Sequence, residues 1–186
     1  MRVIAGSFGG LRLDAVKGRE TRPTTDKIKE AIFSMLMPYL NGGQVLDLYA
    51  GTGGLGIEAV SRGMDHAVLV DRQKAAIEVI EKNIAKTHHE DSFTVLKVPA
   101  ASALTRLASQ GTQFRLVLLD PPYAKEKLKA DLLAMETGGL LAEDAIIMIE
   151  SDQVADLPEP SPNLELIKQK DYGITRVSLY RYAPTE

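Results

Sequence analysis

The chain has 186 residues, a net charge of −3 at neutral pH and no cysteine. This length suits a single domain with a sizeable core, and the absence of cysteine excludes disulfides and thiolate metal sites. Three histidines, two of them adjacent, are too few and too badly spaced for a zinc site, and no segment resembles a membrane span or a signal peptide, so we expect a cytoplasmic protein that needs neither a metal nor a membrane.

The charge is distributed unevenly along the chain. Residues 1–40 carry seven basic and four acidic side chains, a balance of +3, whereas the rest carries 15 basic and 21 acidic side chains, a balance of −6. A basic arm on an acidic body is suited to docking one face against a polyanion. An ordinary scatter of solvated charge explains the same numbers equally well, so charge alone does not decide between the two interpretations.

The first segment predicts an accessory element. Alternating runs at Arg2–Ala5 and Leu11–Asp14 flank a glycine-rich turn and indicate a β-hairpin. We therefore assign residues 1–23 to an N-terminal hairpin with a basic arm, and residues 24–186 to the main domain.

The next segment predicts a helix that a threonine can cap. Its apolar residues recur at helical spacing and form one core-facing stripe: Ile28, Ala31, Ile32, Met35, Leu36 and Tyr39. Lys27, Lys29 and Glu30 lie off this stripe and therefore off the core-facing side. Pro38 disturbs the last turn, and the glycines that follow end the helix.

From residue 44 onward, strands alternate with helices, which implies a parallel sheet with right-handed crossovers. We predict strands at Val45–Tyr49, Ala67–Asp71, Phe93–Val98, Phe114–Asp120 and Ala145–Glu150. The intervening helices are predicted to run to about Arg62 and over Lys74–Lys86, Leu104–Ala108 and Leu128–Glu136. In the tail, a proline-rich loop at 157–162 precedes two runs without a helix between them, Leu164–Lys170 and Ile174–Tyr182, which predicts an antiparallel hairpin at the end of the sheet.

The stretch from Val45 to Gly56 organises the chain. A short apolar run leads into four glycines within six residues, and glycine lets the backbone adopt positive φ and approach a ligand closely. A buried strand that leads through such a turn into a helix presents backbone N–H groups to a nucleotide. The spacing Gly51-x-Gly53-x-x-Gly56 fits a dinucleotide fingerprint, and Asp71, twenty residues after Gly51, suits the ribose of either a dinucleotide or S-adenosylmethionine.

Asp47 favours S-adenosylmethionine, because an anion beneath the turn suits a cationic amino-acid ligand and repels a pyrophosphate. A buried structural acid that accepts N–H groups of the loop explains Asp47 nearly as well, and a helix N-cap is the rival role for Asp71. Tyr49 is assigned to packing. The predicted cofactor-binding residues are Asp47, Gly51, Thr52, Gly53, Gly54, Asp71 and Arg72.

A second motif, Asp120-Pro121-Pro122-Tyr123, follows the fourth strand. Ligands of open α/β sheets lie at the carboxyl ends of the strands, so we expect this motif to meet the glycine turn. Two prolines fix φ and remove two N–H donors, which leaves a stiff turn rich in acceptors. A rigid loop with a capping aspartate is the structural alternative.

In the catalytic interpretation, the carboxylate of Asp120 and the carbonyl of Pro121 accept both hydrogens of an exocyclic amine and favour the geometry it needs to attack a methyl group. Tyr123 offers a face on which the base stacks, after the base has left its own stack. The sulfonium is already an activated electrophile, so alignment is the task of the protein and no metal is needed. We predict Asp120, Pro121, Pro122 and Tyr123 as the catalytic residues.

Together these motifs resemble a known family. Residues 47–56 with the tetrapeptide at 120–123 resemble the class I S-adenosylmethionine-dependent methyltransferases that modify amino groups. Over nearly the whole chain the sequence is similar to the bacterial 16S rRNA guanine-N2 methyltransferases of the RsmD type, on Ile4-Ala5-Gly6, Arg22-Pro23-Thr24, Ser61-Arg62-Gly63 and Tyr172-Gly173.

This resemblance implies a Rossmann-like α/β fold with a seven-stranded, mostly parallel sheet in the order 3-2-1-4-5-7-6. It implies methylation of the exocyclic N2 of one guanine in 16S rRNA of the small ribosomal subunit, with S-adenosylhomocysteine as product and no oligomer required. We expect four arginines to contact RNA phosphates: Arg2, Arg12, Arg19 and Arg22. One departure concerns the acid that usually follows the third strand and contacts adenine, because Pro99 and Ala100 stand there; a backbone group of Ala100 takes over this contact, or cofactor binding is weaker.

Three alternatives stay open at this point. The first is methylation of adenine N6 or cytosine N4 in DNA or RNA, because the tetrapeptide can bind any such amine. The second is a dinucleotide-dependent oxidoreductase, which would bind a nicotinamide cofactor and no sulfonium. The third is an RNA-binding factor that keeps the fold without catalysis.

Overall fold

The computed structural model describes residues 1–17, 25–121, 125–152 and 161–185, with the backbone alone at 125 and 126. Four predicted site residues lie outside the described residues: Arg19, Arg22, Pro122 and Tyr123. Most of the predicted proline-rich loop lies outside them as well.

The described chain forms one seven-stranded sheet in the order β3-β2-β1-β4-β5-β7-β6. Its strands are β1 (Gln44–Asp47), β2 (His66–Asp71), β3 (Phe93–Lys97), β4 (Phe114–Leu119), β5 (Leu141–Asp152), β6 (Leu164–Tyr172) and β7 (Thr175–Tyr182). Strands β1 to β5 run parallel, and β7 lies antiparallel between β5 and β6. The predicted α/β class, the sheet order and the antiparallel ending are confirmed.

Five helices accompany the sheet in the described part of the chain. They are α1 (Asp26–Leu36), α2 (Gly54–Ser61), α3 (Lys74–Thr87), α4 (Ala100–Ser109) and α5 (Lys125–Thr137), with short 3-10 turns at Met37–Tyr39 and Glu90–Ser92. Thr25 caps α1 by accepting the Ile28 N–H, as the threonine-rich approach to this helix suggested. Helix α4 is longer than predicted, because its first turn consists of small residues that follow Pro99 and show no apolar periodicity.

The sheet separates two apolar layers, because successive strand residues point to opposite faces. On one face Leu116 and Leu118 of β4 pack in a cluster with α1, α2 and α3. On the other face Val117 and Leu119 pack in a cluster with α4 and α5. The central strands are therefore buried on both sides, as their continuous apolar runs predict.

The N-terminal arm, which we define as residues 1–14, packs on the layer of α1, α2 and α3. Its two runs pair antiparallel through one bridge, Arg2↔Arg12, so the pairing is shorter than the predicted hairpin. Val3 and Leu13 are almost fully buried in the cluster of that layer. Gly6 lies so close to α2 that a Cβ there would stand 1.9 Å from the Ser61 carbonyl oxygen, and the backbone direction at this contact therefore requires glycine.

The environment of Lys29 differs from the prediction. Its side chain lies off the predicted apolar stripe, yet it is fully buried, because Lys29 lies three and four residues before the buried Ile32 and Phe33 and so shares their face of α1. The ammonium donates to the Arg2 carbonyl oxygen and lies 3.3 Å from the carboxylate of Glu58. Burial lowers the pKa of Lys29, and the adjacent Glu58 opposes this shift.

Glu58 joins the arm to two helices. Its oxygens accept the backbone N–H of Ile4 at 2.8 Å and of Ala5 at 3.1 Å, and Arg62 donates to the same carboxylate at 2.9 Å. A fully buried carboxylate with two cations and two N–H donors is satisfied only as a complete set.

We predict that Glu58→Ala lowers the free energy of unfolding by about 3–5 kcal/mol, because it leaves the Lys29 charge buried without its partner. Urea denaturation measures the effect. The matched control is Glu78→Ala on α3, where the ion pair with Lys74 is exposed and spans 3.9 Å; its free energy of unfolding should stay nearly unchanged. Equal effects of the two substitutions would contradict this account.

Candidate active site

Three carboxylates come together at the carboxyl ends of three neighbouring strands, β2, β1 and β4. Strand β1 lies between β2 and β4, with Asp47 paired to Leu69 on one side and to Leu118 on the other. Asp71 and Asp120 each lie two residues beyond those partners. The carboxyl ends of the three strands therefore bring Asp47, Asp71 and Asp120 together, as the sequence predicts.

The glycine turn connects β1 to α2 above these acids. Gly51 and Gly53 adopt φ of 58° and 83°, in the left-handed region that favours glycine. The Gly53 N–H donates to the Ala50 carbonyl oxygen at 2.8 Å, which closes the turn immediately before α2. Thr52 is half-buried between these two glycines, and its hydroxyl oxygen accepts the Gly54 N–H at 3.2 Å.

Gly56 fixes the helix against the sheet. A Cβ at this position would lie 2.2 Å from Leu69 Cδ2 on β2, so α2 sits closer to the strands than any side chain would allow. The Gly56 N–H donates to Asp47 Oδ2 at 3.0 Å. The hydrogen bond from Gly56 to Asp47 therefore holds the first turn of α2 against the sheet, and the helix can lie this close because Gly56 has no side chain.

Asp47 is almost fully buried, and its contact with Gly56 supports the structural role that the sequence left open. Its pKa is raised to about 7, chiefly by burial, with the negative charges of Asp120 and Asp71 adding to the shift. The N–H of Gly56 acts in the opposite direction because it favours the ionised carboxylate.

Asp71 follows β2 and accepts two backbone N–H groups, from Gly51 at 3.1 Å and from Gln73 at 2.9 Å. The first contact ties the glycine turn to the neighbouring strand. The N-cap of α3 is Gln73, so the N-cap interpretation of Asp71 is wrong. The side chain of the adjacent Arg72 is exposed.

Asp120 and Pro121 are half-buried directly after β4. Burial raises the pKa of Asp120 to about 6. Because β4 pairs with β1, Asp120 lies next to the strand that leads into the glycine turn.

Sequence reasoning missed two polar contacts near the turn. Tyr49, which was assigned to packing, donates its hydroxyl to the carboxylate of Asp131 on α5, and burial raises the pKa of Asp131. Asn83 on α3 is fully buried and donates to the Thr52 carbonyl oxygen at 2.9 Å. In both cases the partner is remote in sequence, so no local pattern could have indicated the contact.

Pro99 and Ala100 follow β3, where the family resemblance leads us to expect an acid that contacts adenine. Pro99 is the N-cap residue of α4, and the helix begins at Ala100. The first N–H groups of a helix have no intrahelical partner, so the backbone at Ala100 is a donor of the type that the sequence analysis expected.

The two described arginines of the arm are exposed and lie opposite each other at the bridge. Arg2 also approaches Asp26, with Nε 3.7 Å from the carboxylate. Arg12 lies beside Lys86, whose ammonium donates to the Arg12 carbonyl oxygen at 3.1 Å. Like charges on adjacent strands repel unless an anion lies between them.

The described residues form neither a membrane-spanning helix nor a metal site. None of their helices is long and apolar enough to cross a membrane. No group of three or more His, Cys, Asp or Glu side chains among them is arranged to hold a metal ion.

Comparisons with known proteins agree with this geometry. The chain is 45% identical over 181 residues to the Bacillus subtilis protein YlbH, which is provisionally named an rRNA methyltransferase; the match covers 97% of this chain and 98% of the relative. It is 33% identical to the Escherichia coli protein named ribosomal RNA small subunit methyltransferase D, over 97% of this chain and 89% of that one. A solved Escherichia coli structure, provisionally described as the methyltransferase yhhF, matches with a TM-score of 0.87 and 32% identity, over 100% of this chain and 99% of that chain.

The family described as Conserved hypothetical protein 95 matches residues 1–181. Since this match and those to the methyltransferase relatives span almost the full length, the chain belongs to that family, which is the RsmD family of methyltransferases.

Proposed function

We propose that this protein transfers the methyl group of S-adenosylmethionine to the exocyclic N2 amine of a guanine in 16S rRNA of the small ribosomal subunit. S-adenosylhomocysteine is the second product. The observation that carries the proposal is the meeting of Asp47, Asp71 and Asp120 at the strand ends beside a left-handed glycine turn. The names and near full-length similarity of the relatives support the same reaction and the same RNA.

The charge of the site fits the cofactor. Mutual repulsion among the acids contributes to the raised pKa of Asp47, and a cation placed between them relieves that repulsion. S-adenosylmethionine carries a sulfonium and an ammonium group, whereas a dinucleotide would bring a pyrophosphate that these carboxylates repel. The oxidoreductase alternative is therefore disfavoured.

Each group of site residues is assigned to one part of the cofactor. Gly51 and Gly53 let the backbone approach the amino-acid part, with Thr52 and Gly54 completing the turn. The two backbone bonds hold the Asp71 carboxylate at the end of β2, where we assign it to the ribose hydroxyls. The first N–H groups of α4, at Ala100, are suited to the adenine ring. Arg72, exposed beside Asp71, is assigned to the outer rim of the site.

The cofactor supplies an activated methyl group, and the residues of this chain supply alignment. Asp120 and the Pro121 carbonyl accept the two hydrogens of the amine and orient its lone pair. Pro122 and Tyr123 complete this loop in the proposal, with Tyr123 stacking on the flipped base. The proton released after transfer goes to Asp120 or directly to water.

RNA binding is assigned to residues 1–23, which include the arm, and residues 24–186 form the methyltransferase domain. In this assignment four arginines contact phosphates: Arg2, Arg12, Arg19 and Arg22. A single chain is sufficient for this arrangement, and a protein that acts on small-subunit rRNA works in the cytoplasm.

The deciding experiment is methyl transfer to small subunits from a strain that lacks the enzyme, followed by nucleoside analysis of the RNA. N2-methylguanosine at one position is the expected product. N6-methyladenosine or N4-methylcytidine would instead establish the alternative amine substrates, and no incorporation by protein that binds the cofactor would establish a non-catalytic RNA-binding factor.

We predict that Asp120→Asn lowers kcat at least about 100-fold, because it removes the anionic acceptor of the amine. The affinity for S-adenosylhomocysteine should change little, since this product lacks the reacting methyl group. Asp152→Asn is the matched control, because Asp152 is an exposed residue at the end of β5. A variant at position 120 with wild-type kcat would remove Asp120 from the mechanism.

We predict an acid limb in the pH profile of kcat/KM. The pKa of Asp120 in the free enzyme is raised to about 6, and the neutral carboxyl is a weaker acceptor for the amine hydrogen that the carboxylate would hold. The rate constant should therefore fall about tenfold per pH unit below this value. The residual activity of Asp120→Asn should lack the limb, and a limb that persists in this variant would assign the titration to another group.

We predict that Arg12→Gln weakens binding to small-subunit RNA and reduces the slope of log K against log salt by about 1. Arg106→Gln is the control, because Arg106 is an exposed residue of α4 on the opposite face of the sheet. Filter binding over a salt series measures both variants. Equal slopes for Arg12→Gln and the wild type would exclude a phosphate contact at Arg12.

A further inference from the structure

Asn83 connects the N-terminal arm to the glycine turn. It lies on α3 and is fully buried. Its amide nitrogen donates to the Thr52 carbonyl oxygen at 2.9 Å and to the Asp14 carbonyl oxygen at 3.1 Å, and its amide oxygen accepts the Asp14 N–H at 2.7 Å. Two carbonyls and one N–H determine which end of the amide is oxygen, so its orientation follows from its partners.

The turn needs this contact because of its composition. Thr52 stands between Gly51 and Gly53, both at positive φ. Glycines on both sides leave the direction of the Thr52 peptide weakly fixed by the chain itself. The Gly53 N–H, which belongs to the same peptide as the Thr52 carbonyl, donates to the Ala50 carbonyl oxygen at 2.8 Å. The hydrogen bond from Asn83 to the Thr52 carbonyl holds the opposite side of this peptide and ties it to α3.

The other end of the contact belongs to the arm. Asp14 is held a second time by Lys86, whose ammonium lies 2.8 Å from its carboxylate and lowers the pKa of Asp14. At the start of the arm, Met1 reaches the same turn, with its sulfur 3.8 Å from Thr52 Oγ1. The start of the arm therefore contacts Thr52 directly, and its end at Asp14 is connected to Thr52 through Asn83.

We propose that Asn83 is a positioning residue for the cofactor: it holds the Thr52 peptide in its binding conformation and seats the arm on the same amide. This inference rests on the proposed function. Asn83 does not touch the cofactor in this proposal. It acts through the Thr52 carbonyl, so its loss should weaken cofactor binding more than it slows methyl transfer from the bound cofactor.

The test measures binding of S-adenosylhomocysteine by calorimetry, together with the kinetics of methyl transfer. Asn83→Ala should raise the dissociation constant at least about 10-fold, the effect expected when a buried carbonyl loses its donor. KM for S-adenosylmethionine should rise in parallel, while kcat at saturating cofactor stays within about threefold of the wild type. Asn83→Asp keeps the volume and the acceptor for the Asp14 N–H but removes the donor, and it should show the same split.

Lys86→Gln is the matched control. It releases the Asp14 carboxylate and the Arg12 carbonyl from α3 but leaves the Thr52 carbonyl bonded to Asn83, so binding of S-adenosylhomocysteine should stay within about twofold of the wild type. Equal weakening by Lys86→Gln and Asn83→Ala would overturn the proposal, because general packing of the arm would then explain both. Wild-type affinity in Asn83→Ala would overturn it as well.

A measurement on the wild-type chain keeps the proposal testable if both Asn83 variants fail to fold. The side-chain amide protons of Asn83 should shift and exchange more slowly when S-adenosylhomocysteine binds, and amide signals that ignore the ligand would overturn the inference. Failure of the wild type to bind S-adenosylhomocysteine at all is a different result, because it overturns the proposed function itself.

Discussion

The hydrogen bond from the Gly56 N–H to the buried carboxylate of Asp47 is the contact on which the site depends. It ties the first turn of α2 to the end of β1, and it forms because a glycine at 56 lets the helix approach Leu69 on β2. With α2 fixed there, the turn that precedes it lies beside the carboxyl ends of β2 and β4. A packing constraint inside the protein thus decides where the glycine turn lies relative to the ends of the strands.

This arrangement has an electrostatic consequence. The pKa of Asp47 is raised to about 7, compared with 3.8 for an ordinary aspartate. The folded chain therefore binds more protons than the unfolded chain between these values, so its stability falls as the pH rises through this window. A bound cation reverses that loss, since it favours the ionised forms of Asp47 and Asp120 together. Binding of the sulfonium cofactor would therefore also relieve the repulsion of Asp47 by Asp71 and Asp120.

Much of this site follows from local sequence patterns. The glycine spacing, the acid twenty residues later and the tetrapeptide after β4 lie on short segments, and the rule that ligands bind at the carboxyl ends of strands brings them together. The sheet order followed from the resemblance to a family. The contacts that were not predicted join residues far apart in the chain: Lys29 with Glu58, Asn83 with Asp14, and Tyr49 with Asp131. Lys29 in particular lies on the buried face of α1, where its charge is matched by Glu58 of α2, and the apolar periodicity of α1 contains no information about that partner.

The central claim is that the three carboxylates and the glycine turn surround one sulfonium cofactor. A crystal structure of the protein with S-adenosylhomocysteine tests it most directly. We expect Asp71 to accept hydrogen bonds from the ribose hydroxyls, the amino-acid part to lie over Gly51 and Gly53, and the sulfur to face Asp120. A ligand whose ribose lies beyond hydrogen-bond distance of Asp71, or whose sulfur faces away from Asp120, would contradict it.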